Sequence, residues 1–145
     1  MAVETPTSAV ASREHESAAR RWTLARVALA VTYLLGGVAH LVLAATNLAF
    51  YESFADMALV GPYTDLWRDL VVPNLAVLVP FVGLFELAVG VALLWRGRAV
   101  QVAHAGGAVF QVGLVLSGPW GVVNAVLAGI HALAEPGPVT LEISV

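Results

Sequence analysis

Apolar residues fall in four long runs separated by short polar stretches, and this pattern predicts four membrane-crossing helices at about residues 24–46, 71–95, 99–116 and 121–134. A run of about twenty residues, rising ~1.5 Å each, spans a ~30 Å hydrocarbon layer. Residues 1–22 are small, polar and charged and read as a cytoplasmic tail, either disordered or an interfacial helix from Ser12 onward. Arg20-Arg21 does not open a twin-arginine signal, because the apolar run behind it is too long and no small-residue cleavage site ends it before Asn47. Residues 47–70 form the one sizeable loop, where Glu52, Asp56, Asp65 and Asp69 alternate with aromatics suited to the headgroup layer. Pro80 inside the second run predicts a bend near Val77. Arg96-Gly97-Arg98 and Ser117-Gly118-Pro119-Trp120 make tight turns, and residues 136–145 form a second cytoplasmic tail, broken by prolines. The fold class is therefore an all-α integral membrane protein, a four-helix up-down-up-down bundle over residues 23–135.

Composition strengthens this picture. Hydrophobic residues make up 59% of 145 and charged ones 12%, too few to coat a water-soluble core of this size. The chain has no cysteine, which removes disulfides, thiolate nucleophiles, cysteine-zinc sites and covalent haem attachment. All seven basic residues are arginines, and in a four-crossing arrangement Arg13, Arg20, Arg21, Arg26, Arg96 and Arg98 share one side while Arg68 stands on the other. Cationic residues concentrate on the cytoplasmic side, so both termini are placed there. Nothing supports binding of nucleic acid.

Candidate chemistry lies inside the runs. His104 and His131 are equidistant from the turn at Ser117-Gly118, as are Gln111 and Asn124, so each pair is expected at one depth on facing helices. Ala108 and Ala128 would let those helices approach closely. Glu86 lies on one face with Gly83 and Gly90, and Tyr33, Gly36, Gly37, His40 and Asn47 form a stripe on the first helix. Counting residues from the turns gives an inner polar layer of Glu86, His104 and His131 and an outer one of His40, Gln111 and Asn124. Gln111, Asn124, Asn47 and Tyr33 read as polar contacts between helices, whereas Glu86, His40, His104 and His131 are the candidates for binding or function. A carboxylate at such depth needs a proton or a histidine partner. No nucleophile-base-orienter triad, phosphate loop or carboxylate cluster can be assembled from these residues, so autonomous hydrolytic or phosphoryl catalysis is not expected.

Gly36-Gly37-Val38-Ala39-His40-Leu41, then Phe85-Glu86-Leu87-Ala88-Val89-Gly90 with Leu93-Leu94 and Arg96-Gly97-Arg98, and Asn124 later, resemble the pattern of DoxX-like membrane proteins, small four-span prokaryotic proteins. The resemblance covers about residues 24–134. It implies a four-helix bundle at the plasma membrane and an accessory or organising role beside a quinone- or thiol-linked redox or oxidative-stress complex, with Glu86 and His40 as the ionisable positions. The long outer loop and the pair His104/His131 have no counterpart in that pattern. Two other functions stay open: a haem- or quinone-binding electron-transfer protein with His104 and His131 as ligands, and a small proton-coupled transporter carrying its proton on Glu86. Partners under these readings are the lipid bilayer, a membrane oxidoreductase, or a second copy of the chain.

Overall fold

The computed structural model describes residues 6–134, with side chains from Ser17 onward, and every regular element among them is helical. The tail expected at 136–145 lies outside the described residues. Helix α1 runs unbroken from Pro6 to Thr46, so the helix expected from Ser12 starts earlier and passes from polar into apolar sequence without a joint. Proline suits the first turn, where its missing N–H would have had no partner.

Thr46 ends α1, and Asn47 leaves the helical region with φ −155°. The stretch read as a loop proves largely helical: a 3-10 turn at Leu48–Ser53, α2 at Phe54–Met57 and α3 at Gly61–Leu66. Aromatic rings hold it together. Trp67 packs on Phe54 and stacks on Tyr63, and its indole N–H donates to the Tyr51 carbonyl at 3.0 Å. A π turn at Trp67–Val71 and a 3-10 turn at Val72–Asn74 then lead into α4 at Leu75–Leu94. The departures from α geometry thus sit beside Pro73, and the α-helix assigned to α4 continues through Val77 and Pro80. Two helical stretches, Ser17–Thr46 and Gly61–Leu94, are long and apolar enough to cross a membrane. α5 (Arg98–Leu114) and α6 (Gly121–Leu133) are shorter.

α1 and α4 pack antiparallel through glycines. A Cβ placed on Gly37 would stand 2.7 Å from the Gly83 carbonyl oxygen, and one on Gly90 2.8 Å from Leu34. Bare backbone at these crossings lets the helices meet more closely than any side chain permits. α5 packs against α4 and α6 against α5. Buried Leu29, Ala30 and Tyr33 of α1 join Val89 and Leu93 of α4 and Ala103 of α5 in one core. Nearer the other end, Tyr51 packs with Leu75 and Val79 beneath Leu43, Leu48 and Phe54. The short helices also seat the turn between α5 and α6: Leu59 N–H donates to the Leu116 carbonyl at 3.1 Å, and Gly118, at φ 92°, closes against the Met57 backbone.

The outer faces are apolar. Leu35 and Phe81 on α1 and α4, and Val109 and Val122 on α5 and α6, are between 65% and 75% exposed. Water would penalise such a surface, while hydrocarbon would not.

Candidate functional site

Two polar clusters occupy the interior. The first joins three helices. His104 on α5 and His131 on α6 meet through their Nδ1 atoms at 3.0 Å, so the depth match expected from the turn holds. The other ring nitrogen of His131 lies 3.0 Å from the Tyr33 hydroxyl, which also accepts a hydrogen bond from the Gln111 amide at 3.0 Å. Tyr33, Gln111 and His131 are buried, and His104 is half-buried at the open end of the cluster. Gly107 makes this arrangement fit: a Cβ there would stand 2.5 Å from the His131 ring and 2.9 Å from the Tyr33 oxygen. Tyr33 can donate in turn to the Gly107 carbonyl, 3.4 Å away. The guanidinium of Arg26, whose Nε is buried without a hydrogen-bond partner, places its charge near His104.

The second cluster lies in the seam between α1 and α4. The Glu86 carboxyl rests on Gly36, where a Cβ would stand 2.7 Å from Oε2, and that oxygen has no hydrogen-bond partner. His40 Nδ1 lies 3.8 Å from it, within ion-pair range but beyond a hydrogen bond. The same nitrogen is 3.0 Å from the Gly36 carbonyl, which can only accept, so Nδ1 carries the proton. The Tyr51 ring packs beside His40, its hydroxyl buried and unpartnered. Burial pushes the Tyr51 phenol above its ordinary value, and the Glu86 carboxylate adds to the effect.

These clusters replace the inner and outer layers expected from residue counting. Gln111 joins the histidines because the long Tyr33 side chain reaches between depths that backbone position keeps apart, and Glu86 lies beside His40 because it rests on Gly36, one turn away on α1. Gln111 and Asn124 do not bond to each other. The Asn124 amide donates to the Leu114 carbonyl at 2.9 Å and to Ser117 Oγ at 3.4 Å, which ties α6 to the end of α5. Asn47 is exposed and makes no side-chain capping bond, so it is not a contact between helices; α1 has ended and its stripe with it.

Sequence reasoning missed Gly107, Arg26 and Tyr51. Gly106-Gly107 within a helix was a legible signal, since glycine costs about 1 kcal/mol there and implies a compensating close approach. Tyr51 and Arg26 carried no comparable mark.

Haem between His104 and His131 does not fit this geometry. The two nitrogens are within hydrogen-bonding distance of each other, and Tyr33 engages the remaining one on His131. Of the four ring nitrogens of the pair, Nε2 of His104 alone makes no hydrogen bond among the described residues. Among the described residues, no three His, Asp or Glu side chains gather as metal ligands.

Comparison of the chain with family models, with curated proteins and with solved structures finds no match.

Proposed function

We propose that this chain is a multi-pass plasma-membrane protein of DoxX-like type, with four crossings and cytoplasmic termini, that serves as an accessory subunit of a membrane redox complex. Its working centre is the Glu86 carboxyl in the seam between α1 and α4. The observation that carries this reading is the convergence there of the short motifs on which the resemblance rests: Gly36 and Gly37 face Glu86 and Gly83, and His40 stands beside the carboxyl. A buried carboxyl with a free oxygen and a histidine neighbour can take up and release a proton. Proton exchange accompanies quinone and thiol redox chemistry, so such a group suits a subunit beside an oxidoreductase.

Support for crossings by α5 and α6 is their apolar outward surface, Val102, Val109 and Val112 on one and Val122, Val126 and Leu133 on the other. Their 17 and 13 residues rise only about 25 and 20 Å, a shortfall that local bilayer thinning and the turn residues between them would cover.

The test is copurification of the tagged protein from its native membranes in mild detergent. Stoichiometric recovery with an oxidoreductase is expected. Recovery alone would overturn the accessory role and favour a proton-coupled transporter, a reading that the same free carboxyl oxygen supports.

A further inference from the structure

The hydrogen bonds of the histidine cluster fix where its protons sit. The Tyr33 hydroxyl, which accepts from the Gln111 amide, has two acceptors within reach: His131 Nε2 at 3.0 Å and the Gly107 carbonyl at 3.4 Å. The shorter bond is the stronger, so Tyr33 donates to His131 Nε2. Neutral His131 then carries its proton on Nδ1 and donates it to His104 Nδ1 at 3.0 Å. His104 is left with its own proton on Nε2, an N–H that makes no hydrogen bond among the described residues.

A second donor without a partner stands near it. Arg26 lies one turn before Ala30 on the face of α1 that carries the buried Ala30 and Tyr33 against α4 and α5. Its Nε is buried with no hydrogen-bond partner, its guanidinium makes no ion pair among the described residues, and its charge is felt at His104. The acidic side chains described lie elsewhere: Glu86 in the seam beside His40, and Glu52, Asp56, Asp65 and Asp69 in the outer segment. A buried donor left unmatched costs free energy that an acceptor would restore. Two such donors, one of them cationic, suit an anion.

Register gives the depth of this site. A Cβ on Gly90 would stand 3.1 Å from the Ala30 carbonyl oxygen, so Ala30 crosses Gly90, and one turn nearer the N-terminus Arg26 stands level with Leu94. The turn between α4 and α5 begins there, with Trp95, Arg96 and Arg98 exposed. Tryptophan and arginine at the end of an apolar helix mark the headgroup layer, where the anions are lipid phosphates. A guanidinium fork matches two phosphate oxygens, and the His104 N–H supplies a further donor. We propose that Arg26 and His104 bind the phosphate of an anionic phospholipid at the arginine-rich end of the bundle, between α1 and α5. A free phosphate offers the same oxygens, but only a lipid brings acyl chains to the exposed Val27 and Val31 of α1 and Val102 of α5 alongside.

Native mass spectrometry of the purified full-length protein, titrated in detergent with phosphatidylglycerol or phosphatidylcholine, counts the lipid retained. Phosphatidylglycerol is expected to bind about tenfold more tightly, a preference that Arg26→Gln abolishes and Arg96→Gln, at the exposed turn, keeps. An undiminished preference in Arg26→Gln would overturn the site. Should that variant fail to fold, the wild type carries the test through ring-nitrogen NMR of its histidines. The His104 Nε2 resonance, assigned by its loss in His104→Gln, is expected to shift with phosphatidylglycerol and to stay in place with inorganic phosphate. An equal shift with inorganic phosphate would overturn the lipid assignment, and no shift with either would overturn the site itself.

Discussion

A Gly37→Val protein is expected to lose its helix pairing and fail to accumulate as a folded species. The Cβ would stand 2.7 Å from a backbone oxygen of α4 and 2.8 Å from Leu87 Cγ, so relief requires the two helices to part. Overpacking typically costs about 1–3 kcal/mol when side chains can move aside. Here a backbone carbonyl blocks the way, and parting the helices also opens the contacts at Gly83 and Gly90, so the upper end of that range or beyond is expected. The control is Gly113→Val, where a Cβ meets nothing within 4 Å. Thermal melts in detergent compare the two, with Gly113→Val close to the wild type. Equal melting of both variants would show that α1 and α4 do not meet through Gly37.

Glu86→Gln carries the largest functional effect. Glutamine keeps nearly the same shape over Gly36 and presents no charge to the seam, so the variant is expected to fold and assemble as the wild type does. It cannot exchange a proton, so turnover of the copurified complex should fall at least tenfold. Glu86→Asp retains the acid but draws its oxygens back from Gly36 and His40, and an intermediate activity is expected. Steady-state assay of the complex isolated with each variant measures this. Full turnover with glutamine would reduce Glu86 to a packing residue.

The helices were legible in the sequence because hydrophobic runs, prolines and glycines mark boundaries locally, and the match of His104 with His131 needed only the position of one turn. The cluster composition was not legible. Residue counting places backbones at a depth, while Tyr33 and Gln111 meet through side chains that cross between depths. Asn47 was misread for a related reason: helical periodicity was carried one residue past the end of α1, where the backbone had already turned. The aromatic outer segment looked like a loop because short 3-10, α and π turns lack a sustained apolar period, although ring contacts fix it against α1 and the Leu59 N–H bond to the Leu116 carbonyl ties it to the α5–α6 turn.

The account rests on Glu86 lying within the membrane between four crossings, and cysteine labelling tests that placement directly. The chain has no cysteine of its own, so each introduced thiol reports alone. Ala19→Cys, Glu52→Cys, Arg96→Cys and Trp120→Cys sample both ends of the helices. Four crossings with cytoplasmic termini give labelling of positions 52 and 120 by a membrane-impermeant maleimide in intact cells, with 19 and 96 labelled only after permeabilisation. Labelling of 96 and 120 from the same side would contradict the account, since the α5–α6 hairpin, and the histidine pair with it, would then not cross the bilayer.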